Sequence, residues 1–182
     1  MKKLLFCVIG MLSFGAVVAQ ENAVKLNPLS FFGGSDLFSY ERKLSTHSSG
    51  IIGAGFSSYS FGSAKYTSAG GELQYRYYFT EAIKGWYAGA QVGFTSGKVK
   101  IDDNFYGFGN QASPSSYETK FSSVKAGAKG GYQWAWDSGF VLDLNLGFGY
   151  SSFKYDDNNG NFSTLKGSGI LPNLGFALGY AF

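Results

Sequence analysis

Residues Ile170 to Phe182 (ILPNLGFALGYAF) alternate without a break between two kinds of side chain. Ile170, Pro172, Leu174, Phe176, Leu178, Tyr180 and Phe182 fall on one face, while Asn173, Gly175, Ala177, Gly179 and Ala181 share the other with Leu171. Only a period-two extended strand sorts residues this way. A strand this apolar is a sticky edge in water, so its edges must be paired and its large-residue face covered. A closed barrel pairs the edges, and lipid outside the barrel covers the face.

Four upstream segments share the pattern. Leu73, Tyr75, Tyr77 and Phe79 oppose Glu72, Gln74, Arg76 and Tyr78; Trp86, Val92 and Phe94 oppose Tyr87, Gln91 and Thr95. Val124, Tyr132 and Trp134 oppose Lys125, Lys129 and Gln133, and Phe140, Leu142, Leu144, Leu146, Phe148 and Tyr150 oppose Asp143 and Asn145. Every charge lies on the face that also carries Gly, Ala and Ser. An eight-stranded barrel has room inside for side chains but little more, so the small and polar face reads as inward and the aromatic face as outward. A soluble barrel would turn the faces round. A lysine or arginine facing mid-membrane costs about 2–4 kcal/mol, and the lipid face of these segments has none. Phe79, Trp86, Trp134, Phe140 and Phe182 sit at strand ends, as an interfacial girdle requires.

The chain carries 27 glycines and 19% aromatic residues, a composition unfavourable to helices. The mature chain therefore reads as all-β: an eight-stranded antiparallel up-and-down transmembrane β-barrel over residues 20–182. Its first three strands, less regular than the rest, are placed at Ala23–Phe32, Leu37–Leu44 and Ile51–Phe61. Residues 1–19 read as a cleavable signal peptide: Met1-Lys2-Lys3 is basic, Leu4 to Val18 is largely apolar, and Val17-Val18-Ala19 offers a cleavage site. Cys7 falls within this leader, which leaves the mature chain without a thiolate metal site or disulfide. Removing Lys2 and Lys3 leaves 13 basic against 12 acidic side chains, and so small an excess gives no field for nucleic acid.

An even number of strands brings both ends of the barrel to the periplasmic side. Ser45–Gly50, Thr80–Lys84 and Ala135–Gly139 become periplasmic turns, and Gly33–Ser35, Gly62–Thr67, Lys98–Lys120 and Lys154–Gly169 face outward. Inside the lumen, Glu41, Glu72 and Asp143 are expected to neutralise Arg76, Lys125 and Lys129, because buried charge must be paired or wetted. Such a network plugs the barrel.

Candidate chemistry elsewhere is thin. The sole histidine, His47, lies among Ser45, Thr46, Ser48 and Ser49 and reads as a solvated turn residue, without the convergent partners of a general base. Asp102-Asp103-Asn104 and Asp156-Asp157-Asn158-Asn159-Gly160-Asn161 are oxygen-rich, but the second departs from the EF-hand spacing and lacks a closing glutamate. Both read as hydrated hairpin tips, and no cofactor is expected. Tyr66, Phe105, Tyr106, Phe108, Tyr117, Tyr155 and Phe162 give the outer connections an aromatic content suited to a ligand, or to packing against one another.

In ELQYRYYF (Glu72–Phe79), KGWYAGAQVGF (Lys84–Phe94) and LPNLGFALGYAF (Leu171–Phe182), the chain resembles the small outer-membrane barrels typified by the OmpA transmembrane domain and OmpX, and more specifically the small barrel proteins of double-membraned bacteria. The resemblance implies that Leu174, Phe176, Leu178, Tyr180 and Phe182 form the signal read by the barrel assembly machinery. The chain is expected to be a monomer in the outer membrane among lipid and lipopolysaccharide, and the aromatic and polar groups of loops 98–120 and 154–169 leave them open to an extracellular ligand. The expected role is non-enzymatic, structural or surface-interacting. A narrow channel for ions or small solutes is the alternative, and a lipid-modifying enzyme is disfavoured by the lack of an outer-side histidine.

Overall fold

The computed structural model describes residues 20–31, 34–102, 116–157 and 165–182. The expected leader 1–19 lies outside the described residues, as do Phe105, Tyr106, Phe108, Phe162, Asp103, Asn104 and the run 158–161.

Eight strands form the wall: β1 (Asn22–Leu26), β2 (Phe38–Lys43), β3 (Ser48–Phe61), β4 (Ala64–Tyr78), β5 (Gly85–Asp102), β6 (Ser116–Ala135), β7 (Phe140–Asp157) and β8 (Leu165–Ala181). Each runs antiparallel to the next, and β8 pairs back onto β1 to close an up-and-down barrel, the all-β architecture the alternation predicts. The end where β1 begins and β8 stops is called proximal here, the opposite end distal.

The faces are inverted relative to a water-soluble core. Among the described residues seventeen buried side chains are polar or charged and eleven hydrophobic, while Leu73, Trp86, Phe94, Leu146, Phe148 and Leu174 are all at least half exposed. An outward aromatic group lies at the proximal end, where Tyr132 meets Trp134 at 4.5 Å and Trp86 at 5.1 Å, and Trp136 meets Phe140 at 5.3 Å.

Several boundaries differ from expectation. The first strand stops at Leu26 instead of reaching Phe32, because Pro28 has no N–H to give a ladder and instead opens a 3-10 turn over Pro28–Phe31. The described residues of the connection between Asn27 and Leu37 then fold into the barrel, so Gly34 and Ser35 of the expected tight turn Gly33–Ser35 are part of an inward segment, while Gly33 lies outside the described residues. A Cβ on the inward Gly55 would collide with the backbone of 34–37, and Ser35 and Leu37 are buried. The expected turn Ser45–Gly50 closes sooner, with the Leu44 N–H donating to the Ser48 carbonyl at 2.8 Å. Gly62–Thr67 is a two-residue hairpin in place of a loop: Phe61 pairs with Ala64 across Gly62-Ser63, and Gly62 adopts φ +59° as a primed turn requires. Lastly, the pairings Asp102↔Ser116 and Tyr155↔Leu165 carry strands far into the expected connections 98–120 and 154–169. Period two persists there, but the outward residues turn polar, so an apolar face no longer marks the strand.

The proximal mouth is closed by a strained residue. Ile83 has φ +73°, a conformation unfavourable to a β-branched side chain. It is buried against Ala23, Ala135, Val141 and Ala181 as a hydrophobic floor, and its turn is tied down by the Ala82 N–H donating to the Thr46 carbonyl at 2.8 Å. Strain of this kind costs about 1–3 kcal/mol and survives only where packing holds it.

The distal wall is less complete. β1 pairs with β8 only from Ala23↔Ala181 to Leu26↔Leu178, and β2 with β3 only from Phe38↔Ala54 to Lys43↔Ser49. Beyond these, the edges of β3 and β8 have no strand partner among the described residues, and the 3-10 turn touches both. We expect Ile83→Ala to destabilise the barrel by about 2–5 kcal/mol in equilibrium denaturant unfolding, the range for emptying a packed aliphatic site. A loss below about 1 kcal/mol would show that the floor is not packed as described.

Candidate functional site

Alternation places the long polar side chains of the middle of the barrel in the lumen, and neighbouring glycines make room for several. A Cβ on Gly179 would collide with the Lys25 side chain, one on Gly93 with Lys125 and one on Gly147 with Lys129. Cations on adjacent strands thus cross the lumen to reach carboxylates.

Two linked clusters result. In the proximal one, Lys25 Nζ lies 2.7 Å from Glu41 and 3.2 Å from Asp143, and Arg76 Nη1 lies 2.6 Å from Asp143. Gln133 sits among all four. Its Oε1 accepts from Lys25 at 2.9 Å and Arg76 at 3.1 Å, and its Nε2 donates to Glu41 at 3.1 Å and the Ile83 carbonyl at 2.8 Å. Tyr78 and Tyr87 donate to Glu41 and Asp143, each at 2.7 Å, and Ser49 also donates to Glu41. The Arg76 guanidinium stacks 4.1 Å above the Tyr87 ring, a cation–π contact in a desolvated setting.

In the distal cluster, Glu72 meets Lys125 at 2.5 Å and Lys129 at 3.2 Å. Gln74 joins the two clusters by donating to Glu72 at 2.6 Å while accepting from Arg76 at 3.1 Å. Above them, Asp36 on the inward segment accepts from Asn27 at 3.2 Å, from Ser35 at 3.3 Å and from Ser30.

The structure brings together Glu41, Glu72, Arg76, Lys125, Lys129 and Asp143, the six residues named from the sequence. It adds Lys25, which sequence reasoning missed. The signal was present: Ala23, Lys25 and Asn27 alternate with Val24 and Leu26, but the segment is short and ends at Pro28. Leu174, Phe176, Leu178, Tyr180 and Phe182 form one outward stripe, with Leu174 the most exposed at 69%. His47 sits in the β2–β3 turn with its ring 6.0 Å from Tyr77 and its Nδ1 3.0 Å from the Thr46 hydroxyl.

At the distal end, inward rings pack on one another. Tyr59 stacks on Tyr66 at 4.9 Å, Tyr66 on Phe121 at 5.3 Å, and Phe121 meets Tyr155 at 6.0 Å. Tyr66 and Tyr155, expected in the outer connections, are therefore strand residues engaged with other rings.

The interior is closed at the bottom by Ile83, bridged through the middle by ion pairs and crowded at the top by aromatic rings. A closed eight-stranded barrel of this kind is the class of protein defined by fold and site. The chain belongs to the family described as protein of unknown function (DUF3575), whose model matches residues 4–167. No curated protein and no solved structure gives a significant match.

Removing one partner of a buried ion pair leaves the other uncompensated, at a cost of about 3–5 kcal/mol. We expect Asp143→Ala to lose stability in that range. In a double-mutant cycle, the Arg76→Leu/Asp143→Leu pair should cost at least about 1 kcal/mol less than the sum of its singles. Additive losses would show that the two residues do not act as a pair.

Proposed function

We propose that this chain is an integral outer-membrane barrel, similar in plan to the OmpA transmembrane domain and OmpX, whose role is structural or surface-interacting and not enzymatic. One observation carries the reading: on β4–β8 the outside of the wall is uncharged over the height of a bilayer while charge is gathered inside. On β5 the outward residues from Trp86 to Ser96 include no charge. Ten residue steps at about 3.3 Å give about 33 Å of strand, or about 25 Å along the bilayer normal at a tilt near 40°. The apolar band of outer-membrane barrels is of that height.

On this reading, residues 1–19 are a secretion leader, the surrounding lipid includes lipopolysaccharide, and the outward stripe of β8 is the segment handed to the assembly machinery. The barrel is monomeric, and its distal loops are the surface offered to an extracellular ligand. The crossing ion pairs argue against the alternative of a narrow solute channel. Lys25, Gln133 and Arg76 bridge carboxylates from β2 to β7, and a conducting path would have to break several of these contacts. Among the described residues hydrolytic or acyl-transfer chemistry has no supporting site, because His47 lies in a proximal turn away from the distal surface.

The protein should fractionate with outer membranes, resist extraction by alkali, and migrate faster on a gel before boiling than after. Recovery as a soluble periplasmic protein would refute the proposal. Reconstituted into planar bilayers, it should give no large steady single-channel current; such currents would overturn the plugged lumen and favour the channel reading.

A further inference from the structure

Just distal to the apolar band, the outward face of five consecutive strands repeats one series: a last apolar residue, then a hydroxyl, then a lysine. It reads Ala69, Thr67, Lys65 on β4; Phe94, Ser96, Lys98 on β5; Val124, Ser122, Lys120 on β6; Tyr150, Ser152, Lys154 on β7; and Ile170, Ser168, Lys166 on β8. Each lysine lies two outward positions past its apolar residue. At about 3.3 Å per residue, four residues of strand place the amines within about 13 Å of the band.

Three cross-strand pairs of this arc set lysine against lysine. Lys65 lies directly opposite Lys100, Lys98 opposite Lys120, and Lys154 opposite Lys166. Like charges directly opposite on one face of a sheet repel, whereas a merely solvated face would gain by alternating signs. Among the described side chains of this arc the only carboxylate is Glu118, 3.1 Å from Lys100 and 3.6 Å from Lys98. Its hydrogen bond from Lys100, with the charges of Lys98, Lys100 and Lys120, holds that carboxyl below the usual range. Asp156 is the strand partner of Lys120, and Asp102 stands at the next alternate position of β5 after Lys100. The arc is one-sided: on β3 the outward residues past Phe56 are Ser58 and Ser60, with no lysine.

Apolar, hydroxyl, cation is the order in which an amphiphile with an anionic headgroup would be met: acyl chain, sugar or ester, phosphate. Resting on the outer-membrane reading, we infer that the lysine arc of β4–β8 is a seat for phosphorylated glycolipid headgroups of the outer leaflet. The lysines attract the phosphates, the hydroxyl row faces the sugar, and neighbouring headgroups relieve the lysine–lysine repulsion.

The test uses the full chain in phosphatidylcholine vesicles containing either a bis-phosphorylated glycolipid or the same lipid with its phosphates removed, and separately free inorganic phosphate with phosphatidylcholine alone. The protein should retain the phosphorylated lipid through purification and unfold at a higher temperature with it than with the dephosphorylated form. The variant K65Q/K98Q/K100Q/K120Q should lose at least about tenfold in retention, given the contribution of each basic side chain near an anionic surface. The corresponding arginine variant should keep it, and heat-modifiable migration reports that both variants fold. Equal retention by the protein and the glutamine variant would overturn the seat, as would a full stabilising effect from inorganic phosphate alone, which would mark a free-anion site. A chain that folds and inserts without preferring the phosphorylated lipid refutes the seat while leaving the membrane reading intact; a chain that does not insert refutes that reading instead.

Discussion

Closing eight strands into a ring leaves an interior only wide enough for side chains to fill, and this chain fills it with charge. A lysine or arginine can lie there only if the adjacent strand yields space and a carboxylate lies within reach. Gly179 beside Lys25 and Gly93 beside Lys125 yield the space, while Glu41, Asp143 and Glu72 supply the carboxylates. With the middle of the interior so occupied, Leu73, Val92, Phe94, Leu144, Leu146 and Leu174 face outward. The same filling fixes register. A one-residue slip of β6 would send Lys129 and Gln133 outward and bring Tyr132 and Trp134 into a space already full.

The ends of the lumen follow from this filling. A buried ion network is favourable only when its remaining hydrogen-bonding capacity is met, and the proximal floor serves that need as well as excluding solvent. The Ile83 carbonyl takes the Gln133 amide at 2.8 Å, so the strained turn contributes a polar contact with its backbone and a hydrophobic one with its side chain. Distally, the rings of Phe121 and Phe153 lie over the inward glycines Gly97 and Gly167 of neighbouring strands, where a Cβ would collide with them. Aromatic cover of this kind compensates for what glycine fails to pack.

Strands β4 to β8 were legible because charge and size alternate together along them. Glu72 and Arg76 against Tyr75 and Tyr77, or Asp143 against Leu142 and Leu144, leave no ambiguity about faces. The network was legible for the same reason, since a narrow lumen obliges inward charges of opposite sign to meet. Two things were not legible. The distal strand extensions lose their apolar face where Ser96, Lys98 and Lys100 replace Phe94, so period two persists without the contrast that reveals it. The first connection hides its inward course because small and polar residues such as Asn27, Ser30 and Ser35 look equally at home in a solvated loop. Only the closed ring shows that the interior needs them, with Asp36 holding three hydroxyl or amide donors.

Pro172 looks like a flaw in an otherwise regular strand, and backbone parity explains its position. The Ala181 N–H donates to Gly139 on the β7 side at 2.7 Å, and the Phe182 N–H to Asn22 on the β1 side at 2.8 Å. Register between β7 and β8 is continuous from Phe140↔Tyr180 to Tyr155↔Leu165, so the even-numbered residues of β8 direct their backbone groups away from β7. Pro172 is one of these, and β1 has already ended where it lies. Its missing N–H therefore breaks no ladder bond and denies an added strand one that it would need. The interval between β3 and β8 is met instead by the chain's own 3-10 turn. Leu29 faces outward there, in a groove of about 400 Å³ shared with Leu174 and Phe176, while Asn27 and Ser30 hold Asp36 within. At this place the apolar exterior and the polar interior are separated by one turn of chain where elsewhere a hydrogen-bonded wall divides them, and the bonds to Asp36 hold that turn in place.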